Sequence, residues 1–316
     1  MQNFYKPFAE RNPDTQWRGL VHRIERDGRI KQSRLVDKKT QEETKAKMIF
    51  GHQMRFDMKN GFPMITERDL LSSGESSGSQ FTMALAEIIA FMNGARTQAE
   101  LEKFGVGWWR SWVTEKKCAK RGLATGDLGP GSYGAALHAF GIAEGEGFDQ
   151  IDAVITQIKE NPELRTHLWT TWNPVYQFRT SKHEQKVVVC PCHGIVCHFD
   201  VDPGRGTISL HHFQRSADTL VGLVFNMIQY TAVLMMVAQV TGYTPDELVF
   251  TTSDTHIYDD PRQWLAAEKM LQTEPGKFPT VHLDPSVKDI YAFRPEHFTV
   301  TDYAPRLERM QIWTPV

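Results

Sequence analysis

The stretch from residue 220 to residue 240 constrains this chain most. It is nearly apolar all round, with no stripe of charge that could face water. A helix of that kind is either the centre of a large core or a membrane span. Asn226, Gln229, Tyr230 and Gln239 lie inside the run, and each is costly in lipid. The run therefore reads as a core helix that other elements must surround. With 316 residues, 41% hydrophobic and 23% charged, the chain has enough apolar material to do so. The N-terminus shows no charged-then-apolar leader pattern. The four cysteines, Cys118, Cys190, Cys192 and Cys197, are expected as free thiols in a reducing cytoplasm. A net charge of −2 offers no basic field, so neither nucleic acid nor membrane is an expected partner.

Around that helix the pattern mixes strands and helices. Residues 1–45 are polar and charged, with little periodicity. Residues 48–58 predict a strand ending at Lys59-Asn60-Gly61. The Ser/Gly-rich stretch 72–80 predicts a flexible loop. Phe81, Ala84, Leu85, Ile88, Ile89 and Met92 recur at helical spacing, with Gly94 to end the helix. Thr97 and Glu100 form a capping-box pattern. Residues 114–134 read as a loop. Asp149 caps a helix carrying Ile151, Val154, Ile155 and Ile158, stopped by Asn161-Pro162. Strands are predicted over 168–172, 186–201, 207–214 and 248–252, with a helix over 261–271. No repeat or linker is evident, so the expected fold class is α+β, in a single domain with a mixed sheet packed by long helices.

The densest reactive cluster is Cys190-Pro191-Cys192-His193, with Cys197 and His198 close behind. Three chemistries fit it. Two Cys and two His at short spacing can hold zinc. However, i and i+2 side chains on a strand sit about 7 Å apart, whereas two thiolates on one zinc need about 4 Å. A knuckle turn would be required, and Pro without Gly makes a poor one. A free Cys can also be a small buried hydrophobe, or a nucleophile held as thiolate by a nearby positive charge. Two more clusters are weak alone. Gln214-Arg215-Ser216-Ala217-Asp218 leaves a strand, and Asp254-Thr255-His256-Ile257-Tyr258 follows a strand end.

Together and in this order, these segments resemble the thymidylate synthase family. The motifs are Phe50-Gly51-His52-Gln53-Met54-Arg55-Phe56, Gly61-Phe62-Pro63, Asp127-Leu128-Gly129-Pro130, Trp172-Asn173, Pro191-Cys192-His193, Gln214-Arg215-Ser216 and Phe225-Asn226. The likeness runs from about residue 48 to 258, with a weaker tail. It implies a thymidylate-synthase-like fold, with residues 46–316 as the catalytic domain and 1–45 as a divergent N-terminal segment. It implies 5,10-methylenetetrahydrofolate as cofactor, a pyrimidine nucleoside monophosphate as substrate, and a homodimer with shared active sites.

The same resemblance assigns the residues. Cys192 is the nucleophile for C6 of the pyrimidine, and Arg215 is the cation that binds phosphate and lowers the thiol pKa. Asn226 reads the O4/N3 edge, Glu87 relays a proton at O4, and Tyr133 helps remove the C5 proton through water. A carboxamide such as Asn226 can rotate to match either uracil or cytosine. Gln214 and Ser216 belong to the nucleotide site, and His256 and Tyr258 contact the sugar 3′-hydroxyl. Trp109, Trp112, Asp218, Gly222 and Phe225 line the folate pocket. Arg165 is lent to the partner's phosphate.

The departures are grouped. The family's N-terminal phosphate loop is replaced by Gln41-Glu42-Glu43-Thr44-Lys45, with Arg34, Lys38 and Lys39 as substitute cations. Thr166 stands where the second lent arginine belongs. A Ser/Gly insertion occupies 71–80, one extra residue precedes Tyr133, and the closing tail pattern is not kept over 309–316. Hydride transfer needs water excluded and the pterin held. Changes there favour water, and hence a deoxyuridylate hydroxymethylase of the kind that supplies modified-DNA precursors in some phages. Thymidylate synthase itself, a CMP or dCMP hydroxymethylase, and a catalytically silent nucleotide-binding homologue are the alternatives.

Overall fold

In the computed structural model, which describes residues 4–37, 42–74, 77–140 and 147–315, the apolar run is helix Gly222–Thr241, buried as the centre of the molecule. Its apolar stretch is 83% buried inside the protein. The helices in chain order are α1 (Gln16–Asp27), α2 (Gln80–Met92), α3 (Gln98–Glu102), α4 (Glu115–Ala119), α5 (Tyr133–His138), α6 (Gln150–Glu160), α7 (Pro174–Gln177), α8 (Gly222–Thr241) and α9 (Pro261–Leu271). The strands are β1 (Arg29–Val36), β2 (Glu43–Asp57), β3 (Ser73–Gly74), β4 (Ser77–Ser79), β5 (Leu168–Trp169), β6 (Val196–Asp202), β7 (Thr207–Asp218), β8 (Thr244–Tyr258), β9 (Thr280–Leu283) and β10 (Phe298–Thr301).

Six strands form one mixed sheet in the order β1-β2-β8-β7-β6-β5. β7 and β8 are parallel, and the other pairs in this sheet are antiparallel. Parallel neighbours need a long crossover, and α8 is that crossover. It packs on β7 and β8 on one side and on α2 and α6 on the other. This surround is what its all-round apolarity requires. Truncating a fully buried side chain such as Leu234 to Ala would cost about 2–5 kcal/mol.

The expected α+β architecture is present, and most helices stand where periodicity placed them. Gly94, at φ 79°, follows α2. Thr97 and Glu100 close a full capping box on α3. The Asp149 side chain accepts from Ile151 N and Asp152 N at the start of α6. Several expectations need correction. The N-terminal segment is not without periodicity. α1 buries Trp17, Leu20, Val21 and Ile24, an i, i+3, i+4, i+7 stripe, and β1 adds to the sheet edge. The Ser/Gly stretch contains a short hairpin, β3–β4. The 114–134 loop contains α4 and ends in α5. The strand read over 168–172 covers only two residues.

Candidate active site

Cys192 does not lie on a strand. The strand read over 186–201 begins only at Val196, and the residues before it run irregularly. The spacing argument about Cys190 and Cys192 on zinc therefore has no strand to rest on. Pro191 and Gly194, the latter at φ 59°, break the extended path. A Cβ at Gly194 would collide with the Tyr230 hydroxyl, so this turn is built for glycine. The backbone N–H groups of Arg215 and Ser216 donate to Cys192 O at 2.8 and 3.3 Å. Thus β7 holds the cysteine's main chain in place.

Tyr133, at the first turn of α5, completes the hold. Its hydroxyl accepts from Cys192 N at 2.9 Å and lies 3.2 Å from Cys192 Sγ. With its oxygen already accepting, the hydroxyl proton is free to go to sulfur. Burial pushes the Cys192 thiol above its ordinary value, partly offset by the Tyr133 hydrogen bond and the Arg215 charge. Arg215 pulls this thiol downward, as expected of a nearby cation, and burial is the larger, opposing effect. The Arg215 Nε donates to Pro191 O at 3.2 Å, and its guanidinium lies 5.8 Å from the Trp172 ring centre. His193, next in sequence, is not a base for the thiol. Its Nδ1 meets the Tyr230 hydroxyl at 2.7 Å, and burial pushes its pKa down to about 3.

A second group is a chain of side-chain hydrogen bonds across α2, β7 and α8. Glu87 is half-buried, not an exposed helix carboxylate. Its Oε1 accepts from Trp108 Nε1 at 2.8 Å and Trp109 Nε1 at 2.7 Å. Its Oε2 accepts from Gln229 Nε2 at 2.8 Å. Gln229 Oε1 in turn accepts from Asn226 Nδ2 at 2.8 Å. Asn226 Oδ1 accepts from Gln214 Nε2 at 2.8 Å. The two residues on α8 are three apart and so share a face.

The third group sits on paired strands. Neither the Gln214–Asp218 cluster nor the Asp254–Tyr258 cluster is a loop beyond a strand. They lie within β7 and β8, with Ser216 opposite Asp254 and Asp218 opposite His256. His256 Nδ1 is 2.9 Å from Asp254 Oδ1, and Lys31 donates to the other oxygen at 2.8 Å. Burial works against ionisation of Asp254, but these two partners hold it at about 2. The Tyr258 ring is 5.1 Å from that of His256. Burial raises the Asp218 pKa, with His256 opposing. Gln263 on α9 ties this corner together. It donates to Asp218 Oδ2 at 3.4 Å and to Trp313 O at 2.9 Å, and accepts from Tyr258 N at 3.0 Å.

Cys192, Tyr133 and Arg215 are thus in one group, and Glu87, Asn226 and Gln214 in another, while Ser216, Asp218, His256 and Tyr258 line adjoining strands. Gly222 and half-buried Phe225 start α8 beside Asp218, where an added Cβ on Gly222 meets only Asp218 Cβ, at 3.9 Å. Trp109 walls the site, packing on Phe91 and Tyr133. Trp112 is half-buried under the Lys117 ammonium, 4.6 Å away. Arg165 is not brought into these groups. It lies exposed before β5, and among the described residues its guanidinium forms no ion pair. Lys38, Lys39 and Gln41 lie outside the described residues, as does the side chain of Arg34. Trp108, Gln229 and Gln263 were missed by the sequence reading. Gln229 had one visible signal, a polar residue one turn from Asn226 inside an apolar run.

Among the described residues, no group of three or more His, Cys, Asp or Glu is placed to hold a metal ion. The arrangement instead offers a thiol with a phenol, a guanidinium and a polarising amide–carboxylate chain, suited to adding sulfur across a conjugated double bond. The family model described as thymidylate synthase matches residues 15–312. That match spans Cys192, Tyr133, the Glu87–Asn226 chain and the β7–β8 residues described above, and also α1 and β1.

Proposed function

The chain belongs to the thymidylate synthase family, and on that premise we propose that it converts deoxyuridylate to 5-hydroxymethyl-deoxyuridylate. The family comprises folate-dependent enzymes that transfer one carbon to a pyrimidine nucleotide. The observation carrying the reading is the joint placement of Cys192 on Tyr133 and of Asn226 on Glu87 through Gln229. In the proposed reaction, Cys192 Sγ bonds to C6, the C5=C6 pair moves to C5, and negative charge spreads onto O4. An Asn226 N–H and a proton governed by Glu87 stabilise O4. The electron pair at C5 then takes the incoming carbon, and Tyr133, through water, takes the C5 proton, which would go to the departing carrier nitrogen; water would add its oxygen to the freed methylene carbon and return an electron pair to C5, re-forming C5=C6 as sulfur leaves. Reversal of the C6–S bond frees the thiol.

Methylenetetrahydrofolate, when bound, supplies the carbon. The corner fits such a group: Asp218 offers a carboxylate whose Oδ1 accepts from Leu220 N at 3.1 Å and whose Oδ2 accepts a long 3.4 Å bond from Gln263, beside the open side of Gly222, with Phe225, Trp109 and Trp112 as flanking aromatic surface. Arg215 and Ser216 are proposed for the nucleotide phosphate, and His256 and Tyr258 for the sugar. Arg165 is proposed to serve a partner subunit's site in a homodimer, since it is exposed and apart from the cluster of its own chain. The proposed catalytic region is 46–316, with 1–45 as its divergent segment.

Support for water as the final acceptor comes from the two altered regions being one structure. Arg309 of the tail donates to Ser72 O at 2.8 Å and to Gly78 O at 3.3 Å in the inserted hairpin. Changes on both sides of this contact bear on how water is excluded. Thymidylate synthesis is the second reading, favoured by the retained Cys192–Tyr133 pair. Tritium release from C5-labelled dUMP tests for transfer. Release without dihydrofolate absorbance, and with a hydroxymethyl product by mass, is expected. Dihydrofolate formed in step with release would replace it by thymidylate synthesis, and no release would leave a silent binding homologue.

A further inference from the structure

Side-chain amides have no orientation of their own; their partners impose one. In this site the partners leave no choice. Gln229, fully buried, directs one end at Ala84 O and Glu87 Oε2, at 3.2 and 2.8 Å. A backbone carbonyl only accepts, so that end is the NH2 group, and Oε1 faces Asn226. Gln214, also buried, directs one end at Ser216 O, at 2.9 Å, and at Asn226 Oδ1, at 2.8 Å. Ser216 O again fixes the NH2 group there. Asn226 lies between an acceptor from Gln229 and a donor from Gln214. Its Nδ2 must face Gln229 and its Oδ1 must face Gln214.

One Nδ2 hydrogen and one Oδ1 lone pair remain for a ligand. The remaining donor is on the Glu87 side. Uracil presents an O4 acceptor beside an N3–H donor, which match this amide with O4 toward Glu87. Cytosine presents an N4 donor beside an N3 acceptor, which oppose it at both atoms. To read cytosine, Asn226 would have to turn over. It would then set oxygen against Gln229 Oε1 and NH2 against Gln214 Nε2, two mismatches between buried side chains.

We propose that Gln229 is a positioning residue that locks the Asn226 carboxamide in its uracil-reading orientation and blocks the cytosine-reading one. This rests on the nucleotide reading above. It adds that base selection is set by a residue that does not touch the base.

The test is the ratio of dCMP to dUMP dissociation constants, measured calorimetrically on the full-length protein. It is read for wild type, Gln229→Met and Gln229→Ser, with folding checked by circular dichroism and tritium release from dUMP run on wild type. Met fills similar volume with no strong donor or acceptor. Ser carries a hydroxyl that donates or accepts and so imposes no direction. Relieving one buried mismatch is worth roughly ten- to a hundredfold, so the ratio is expected to fall by about that factor in a folded variant. Lost packing alone would weaken both nucleotides together and leave the ratio unchanged. A wild type that prefers dUMP, with a ratio unmoved within about twofold in a folded variant, overturns the role of Gln229 and leaves the functional reading standing. A wild type that binds neither nucleotide and releases no tritium overturns both.

Discussion

Replacing Tyr133 by Phe removes one oxygen from the centre of the site and little else. The ring is stacked between Phe91, with centroids 4.6 Å apart, and His193, at 4.4 Å, and Phe keeps both stacks. Two interactions are lost: the acceptor for Cys192 N at 2.9 Å and the contact with Cys192 Sγ at 3.2 Å. The second bears on reactivity. Burial already holds the thiol above its ordinary value, while Tyr133 and Arg215 pull it down, so removing Tyr133 raises it further. A net hydrogen bond is worth about 0.5–1.5 kcal/mol, and one pKa unit is about 1.36 kcal/mol. The thiol should therefore rise by about half a unit to one unit, and the thiolate fraction below the midpoint should fall about three- to tenfold. The assay is the pH dependence of iodoacetamide alkylation at Cys192, in a Cys190→Ser background because Cys118 and Cys197 are buried and Cys190 is not. A midpoint that stays put or moves down in Tyr133→Phe would refute the assignment of Tyr133 as a donor to sulfur.

Cys192→Ser is expected to abolish tritium release while leaving dUMP binding within a few fold, since a hydroxyl is a far poorer nucleophile at neutral pH; retained release would remove Cys192 from the reaction. Arg165→Ala should be nearly inactive alone yet regain activity when mixed with Cys192→Ser subunits, because one hybrid site then has both contributions; no recovery despite subunit exchange by mass spectrometry would count against shared sites. Asp254, held at about 2 against an ordinary 3.8, contributes stability that is present above the unfolded value and lost as pH falls through about 2. The melting temperature of Asp254→Asn should therefore fall less than that of wild type between about pH 5 and pH 2, and parallel curves would show that the Lys31 and His256 contacts do not matter to folding.

The fold was legible where apolar residues repeat at helical spacing and stop at a cap. α2 and α6 were read on that basis, and α8 from its all-round apolarity. α1 was not, because Gln16, Arg18, His22 and Arg23 dilute a stripe of only four buried residues. The error around Cys192 has the opposite origin. Val187, Val188, Val189 and Ile195 give a strand-like density of β-branched residues. Yet the main chain there bonds Arg215 N and Ser216 N through Cys192 O, ahead of the regular β6–β7 ladder. The polar clusters on β7 and β8 were taken for strand exits because Arg215, Asp218, Asp254 and His256 are unlike strand interiors. They are tolerated because each finds a polar partner: Arg215 on Pro191 O, Asp218 on Leu220 N and Gln263, and Asp254 on Lys31 and His256.

Asn226 shows where sequence reading stops for a physical reason. Its identity was legible, and so was its place near an edge-reading site. Its direction was not, since an isolated carboxamide matches uracil and cytosine equally well after a half turn. The asymmetry enters at Ala84 O and Ser216 O, two backbone carbonyls that cannot donate. It passes inward through Gln214 and Gln229 and meets at Asn226. No residue type encodes those carbonyls, because every residue carries one. Their positions follow only from α2 lying against α8 and from the path of β7 beside its first turns. On the proposed reading, base selection at this site is a property of how three elements pack, and substitutions that shift α2 against α8 should relax it even where Asn226 is untouched.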